Sequence, residues 1–256
     1  MPDFAHLFDL HGKVAIVPGA SKGIGAAIAQ GLAAFGASVV VSSRKQDAVQ
    51  AVAETIRAAG GKAEAVAAHM GDAGAIRELV RKTAESQGGI DILVNNAAAN
   101  PTFGPILQTD AEVFAKVMQV NVQGPLELAR AAHPILKARG GGSIINISSV
   151  GGIRPEPGLG LYSVSKAALI SLTKVLAQEW SADGIRANVV CPGLVQTKFS
   201  AALWQDEENL QRFLRLIPLG RIAQPEEMVG LALYLAGPAS SYCTGAVFTC
   251  DGGLIL

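Results

Sequence analysis

From Lys13 onward the chain alternates short β-branched runs with helical patterns, and this alternation constrains its fold more than any other feature. Successive parallel strands need a long crossover, which a helix supplies, so strand–helix repeats predict a parallel sheet between two helical layers. The strands fall at residues 14–17, 38–42, 63–67, 90–94, 143–148 and 185–190, with a short closing strand near 246–249. Helical patterns run over residues 26–35, 47–59, 75–86 and 225–235. Another begins near Thr109 and Asp110, whose polar side chains suit an N-cap, and one more carries Tyr162 and Lys166. Half of the 256 residues are hydrophobic, enough to fill one large core. No repeat, low-complexity tract or linker divides residues 1–256, so the expectation is a single α/β domain with a doubly wound parallel sheet and helices on both faces.

The first strand runs into Pro18-Gly19-Ala20-Ser21-Lys22-Gly23-Ile24-Gly25. Glycines at a strand-to-helix turn let the backbone approach a phosphate, which sits against the positive end of the helix. Three glycines alone could punctuate any turn; after the first strand of an alternating chain they predict a nucleotide site on a Rossmann-type sheet. The second strand ends in Ser43-Arg44-Lys45, where such folds meet the adenosine ribose, and no acid follows until Asp47. A carboxylate there suits the free 2′-hydroxyl of NAD, a cation the 2′-phosphate of NADP. Arg44 and Lys22 therefore predict NADP(H), the alternative being two solvated surface cations. The fourth strand ends in Asn95-Asn96-Ala97-Ala98, and the sixth in Cys191-Pro192-Gly193 followed by Leu194-Val195-Gln196-Thr197. Asn121 interrupts an apolar helical run over residues 117–122; it is either a satisfied polar group in a packing face or the anchor of a functional water.

Tyr162 and Lys166, four residues apart, lie on one helical face. A nearby cation stabilises phenolate, so this pair suits proton transfer, and Ser149 at the end of the fifth strand could hold the oxygen that the phenol protonates. By itself the pair is also what an amphipathic surface would show. The formal net charge of zero gives no field to recruit nucleic acid or an anionic membrane. Cys191, Cys243 and Cys250 have no metal-ligand spacing and no even framework, as in a reducing compartment. The opening MPDFAHLFDLHGK lacks the charge and apolar run of a signal peptide, no apolar run is long enough to span a membrane, and the final Gly-Gly-Leu-Ile-Leu carries no address signal. The expected location is cytoplasmic.

Taken together, Gly19, Gly23 and Gly25, Asn95 to Ala97, Asn121, Ser149, Tyr162 with Lys166, and Pro192-Gly193 with Thr197 resemble the short-chain dehydrogenases/reductases, over essentially the whole chain. Ser43 to Gln46 resemble their NADP-dependent carbonyl reductases in particular. The resemblance implies that Tyr162 is the general acid in ketone reduction and the base in alcohol oxidation. It implies that Lys166 binds the nicotinamide ribose and lowers the pKa of Tyr162, that Ser149 holds the substrate oxygen, and that Asn121 anchors a water relaying protons to Lys166. The implied cofactor contacts extend to Ser21, Ile24, Met70, Asn96, Ala97, Pro192 and Gly193, and to Val195 and Thr197 at the carboxamide. Pro18, Ala98 and His69 depart from the pattern: Pro18 lacks an N–H, Ala98 should avoid positive φ, and His69 stands where relatives place an acid for the adenine amine. A homotetramer is also implied, with the Tyr162 helix and residues 242–256 at its interfaces.

The expected activity is interconversion of a ketone or dicarbonyl with its secondary alcohol. A 3-oxoacyl-carrier-protein reductase is the alternative, disfavoured by Asp183 where such enzymes carry a basic residue to dock the acidic carrier. A catalytically silent NADP-binding protein would not need the Tyr/Lys pair. Residues 198–220 carry Phe199, Leu203, Trp204, Leu210, Phe213 and Leu214 just after the Pro192-Gly193 turn. That is too much apolar surface for a solvated loop, so a substrate lid over about 194–220 and an apolar or aromatic substrate are expected, the alternative being that this segment packs at an interface of the tetramer. Arg154 and Glu156 stand in the loop before Tyr162, and the pattern does not encode their direction.

Overall fold

The computed structural model describes residues 4–256; residues 1–3, which open the stretch read above for a leader, lie outside the described residues. After a 3-10 turn at Ala5–Phe8 come β1 (Val14–Pro18), α1 (Gly23–Ala34), β2 (Ser38–Ser43), α2 (Gln46–Ala58), β3 (Lys62–Ala67) and α3 (Ala73–Gln87). Then β4 (Ile92–Asn95) leads through a long loop to α4 (Ala111–Met118), a π-helical turn (Gln119–Gln123) and α5 (Gly124–Ala138). The second half contains β5 (Gly142–Ile147), α6 (Gly160–Trp180), β6 (Ile185–Pro192), the short helices α7 (Ala201–Trp204) and α8 (Glu207–Leu216), α9 (Val229–Ala236) and β7 (Val247–Cys250). The first helix starts at Gly23 and not at Ala26 as its apolar pattern suggests, because the glycine turn itself forms the first helical turn.

All seven strands pair in parallel, in the order β3-β2-β1-β4-β5-β6-β7. This is the Rossmann-type, doubly wound sheet that the alternation predicts. Strand alternation divides the core. Ala15, Val17, Val39 and Val41 pack on one side with Ile28, Leu32, Val49 and Ile56, while Ile16 and Val40 face the other side with Ile76, Leu79, Leu128 and Leu136. A third cluster joins Val189, Cys191 and Leu194 to Phe213, Ile217 and Leu254, and so fastens α8 to the end of β6. The chain winds outward from β1 to β3 and then returns to place β4 on the opposite side of β1. That reversal opens a crevice at the carboxyl ends of the central strands. Among the described residues no helix is long and apolar enough to cross a membrane.

Candidate active site

A cleft of about 830 Å³ lies at this carboxyl edge, and every residue expected to take part in catalysis or cofactor binding lines it except Gly25 and Asn121. Its deep floor is the glycine turn. Gly19 holds φ at +75°, and the Asn96 amide donates to its carbonyl at 3.1 Å. Gly25 lies beneath that turn, where a Cβ would come within 2.4 Å of Asn96 Nδ2 and 2.6 Å of Gly19 O. Asp72, Asp110 and Asp206 cap the amides of α3, α4 and α8 with their side chains, but no side chain caps α1. Its first-turn residues Gly23 and Ile24 line the cleft beside Ser21 and Lys22, so orphan amides and a cation face the same space.

Pro18 still pairs with Ser42, and the turn is held instead by the Ala20 amide on Ser42 O at 3.1 Å. Among the described residues no non-glycine has positive φ, as expected for Ala98. Arg44 and Lys22 line the nucleotide end, and neither joins an ion pair among the described residues. The ring of His69 is fixed by the Gly71 amide on Nδ1 at 2.9 Å, beside Met70.

At the other end Tyr162 and Lys166 share one face of α6. The ammonium sits 5.5 Å from the centre of the phenol ring and donates to Ile147 O at 2.8 Å. Ser149 hydrogen-bonds the phenol, and its hydroxyl accepts from Gly151 N at 3.0 Å. The expectation that Lys166 lowers the Tyr162 pKa is not met in this structure. Burial raises the phenol, with the Ser149 hydrogen bond opposing, and burial also lowers Lys166 to about 8. Desolvation disfavours both charged forms and is the largest influence on each. The phenol is accordingly a loaded acid.

Asn121 is fully buried, and its side-chain amide has partners on both oxygen and nitrogen. It donates to Ala99 O at 2.9 Å and Ser165 Oγ at 2.9 Å, and it accepts from Ala99 N at 2.7 Å. Ser165 in turn donates to Tyr162 O at 2.7 Å. The amide side chain therefore clamps the loop after β4 to α6. Asn95, by contrast with Asn96, turns away from the cleft: it donates to Asn146 at 2.7 Å, and Asn146 to Thr173 at 2.8 Å, in a buried chain linking β4, β5 and α6.

Residues 198–220 form α7 and α8 over the mouth. Phe199, Leu203 and Phe213 line the cleft, whereas Trp204, Leu210 and Leu214 do not. Trp204 instead packs on the third cluster and donates from Nε1 to Thr197 O at 3.3 Å and Ser200 Oγ at 3.2 Å. Phe199 stacks at a tilt on Tyr162, ring centres 5.8 Å apart. Three contributors escaped the sequence reading. Ser148 donates to Lys166 O at 2.8 Å; Cys191 lies close enough to Tyr162 and Lys166 to act on both electrostatically, its thiol raised to about 11 by burial; and Phe103 supplies a wall from the loop after β4. Ser148 had a signal, since it precedes Ser149 on an alternating strand. Phe103 had none.

A family model described as enoyl-(acyl carrier protein) reductase matches residues 19–255. Dehydrogenase/reductase SDR family member 4 of Oryctolagus cuniculus is 41% identical over 244 residues, which is 95% of this chain and 94% of that protein. The crystal structure of a gluconate 5-dehydrogenase from Burkholderia cenocepacia in complex with NADP and tartrate superposes with a TM-score of 0.94 at 32% identity, over 98% of each chain. A 3-oxoacyl (acyl-carrier-protein) reductase from Agrobacterium tumefaciens with NADP bound gives 0.91 at 36% identity, over 98% of this chain and 97% of that one.

Proposed function

The chain belongs to the short-chain dehydrogenase/reductase family, and from that premise we propose that it is an NADP(H)-dependent carbonyl reductase, reversible as a secondary-alcohol dehydrogenase. The observation that carries this reading is one cleft joining an uncapped glycine turn to Ser149, Tyr162 and Lys166. The residues present fit a dinucleotide. The turn packs so closely on Asn96 and Ala97 that a Cβ at Gly19 or Gly25 would displace it, its first-turn amides face the cleft without a side-chain cap, and the free cations Lys22 and Arg44 would hold a 2′-phosphate. When bound, the nicotinamide supplies the hydride. Ser149 holds the substrate oxygen, and Tyr162 donates its proton to that oxygen, or takes one from the alcohol in the reverse direction. Lys166 would hold the ribose hydroxyls, and Asn121 positions α6 against the loop after β4. Val195 and Thr197 would meet the carboxamide. The substrate class is an apolar or aromatic ketone or dicarbonyl, enclosed by a lid over about residues 194–220, as the Phe199, Leu203 and Phe213 walls favour.

Cofactor choice tests the nucleotide half of this reading. A charge-assisted phosphate contact contributes roughly 1.5–3 kcal/mol, so kcat/KM is expected to favour NADPH over NADH by about tenfold or more. Arg44→Asp should remove most of that preference. Equal use of the two by the wild-type enzyme would overturn the assignment.

The acyl-carrier names among the relatives keep a 3-oxoacyl-carrier-protein reductase as the second reading. Asp183 weighs against it, since a half-buried carboxylate, engaged by Lys137 at 2.7 Å and His133 at 2.9 Å, stands where a carrier-docking cation would. We assign a cytoplasmic location, supported by three unpaired thiols, and a homotetramer. Val164 and Val175 on α6, and Tyr242, Val247 and Leu256 near the C-terminus, are apolar yet exposed, as faces awaiting copies of the chain would be. Light scattering should give four times the 26.3 kDa chain mass; a monomer at micromolar concentration would refute this.

A further inference from the structure

One group at the substrate end takes no part in the reaction above. Glu156 is the only carboxylate among the cleft-lining residues, and the neighbouring walls are largely apolar: Phe103, Leu159, Phe199, Phe213 and Leu254. It stands between Pro155 and Pro157. Their rings fix φ on both sides, and a following proline confines Glu156 to extended backbone. The Leu159 amide on Glu156 O at 3.1 Å closes the turn leading to α6. The carboxylate is therefore carried on a stiff segment next to the catalytic helix, with little freedom to lose on binding.

This side chain is partly buried, yet among the described residues it accepts no hydrogen bond and joins no ion pair. Burial raises its carboxyl above the usual range, and the Arg212 and Arg154 guanidinia oppose this only from beyond ion-pair distance. A carboxylate offers about four acceptor positions, and leaving them unmet in a half-dry site is unfavourable. An arriving donor would relieve that. A cationic donor would also meet Lys116 and Lys198 in the cleft walls, and an anionic substrate would meet Glu156 itself. A neutral hydroxyl satisfies the carboxylate without burying a second charge.

We propose that Glu156 is a specificity-determining residue that accepts a hydrogen bond from a substrate hydroxyl remote from the reacting carbonyl, so that the favoured substrates are neutral hydroxy ketones on an apolar or aromatic frame. This rests on the carbonyl reductase reading and narrows its substrate class. The test uses the full chain with NADPH and a series of aryl alkyl ketones, each paired with its terminal-hydroxyl counterpart over several chain lengths. At the best length kcat/KM should favour the hydroxy ketone by about tenfold or more, as a hydrogen bond to a charged group implies. Glu156→Ala should bring that ratio close to one. Glu156→Gln, which keeps an acceptor oxygen without the charge, should give an intermediate ratio, and NADPH titration by fluorescence checks that both variants are folded. If both ketone sets turn over and the wild-type ratio is near one at every length, or Glu156→Ala leaves it unchanged, this inference falls and the reductase reading stands. If no ketone is reduced, the reductase reading falls and takes this inference with it.

Discussion

Replacing Tyr162 by phenylalanine is expected to lower turnover by about 10²-fold or more while NADPH still binds. The substitution keeps the ring that packs on Phe199 with centres 5.8 Å apart and removes only the hydroxyl bonded to Ser149. General acid–base catalysis of this kind contributes typically 10²–10⁴-fold. The expected loss is in kcat, because the proton moves only in the transition state. Steady-state kinetics on a reducible ketone, with nucleotide affinity from NADPH fluorescence, separates the two effects. Near wild-type kcat would remove Tyr162 from the acid role, and loss of nucleotide binding would show the ring to be structural. Burial raises the phenol in the nucleotide-free protein, so the reduction direction finds its acid protonated throughout the neutral range. Alcohol oxidation needs the phenolate, and its rate should therefore climb as pH rises.

The fold was legible because its signals are local and periodic. The β-branched runs around Val14, Val39 and Ile144 alternate with helices, and the glycine turn follows the first strand, so the sheet and the place of its crevice followed directly. The reacting pair was legible for the same reason, since Tyr162 and Lys166 are one helical turn apart. What escaped depends on tertiary neighbours. The Asn121 side chain is bonded to Ala99 and Ser165, residues 22 and 44 positions away, and no spacing rule announces that partner set. Trp204 reads as a pocket residue by composition, but its indole N–H finds Thr197 O and Ser200 Oγ, which turns the ring into the third cluster. The direction of Glu156 was likewise unreadable, because it is set by two prolines and a turn and not by any period.

Lys166 carries the second large effect, with stability and activity moving in opposite directions. Its side chain is 2% exposed, and among the described residues the ammonium has only Ile147 O as a hydrogen-bond acceptor, at 2.8 Å. Burial lowers its pKa from 10.5 to about 8. Between those two values the unfolded chain still holds the proton that the folded protein has released. The unfolded state then binds more protons, so stability rises with pH across that window, and below about pH 8 the folded protein bears the full cost of a buried charge. Methionine has nearly the same length, fills the space and carries no charge. Lys166→Met is therefore expected to stabilise the nucleotide-free protein at pH 7 by about 1–2 kcal/mol, part of the roughly 1.4 kcal/mol per pKa unit being offset by the lost bond to Ile147. For a chain of this size that is a rise in Tm of about 2–8 °C. Comparing wild type and variant at each pH cancels the other titrating groups, and the advantage should close as pH rises from about 8 towards 10.5. Turnover should meanwhile fall by about 10²-fold or more and nucleotide affinity should weaken, if this ammonium holds the ribose hydroxyls beside the phenol as proposed above. A variant that is destabilised at pH 7, with a Tm difference that does not change with pH, would show that this lysine is not held at a cost for the sake of the reaction.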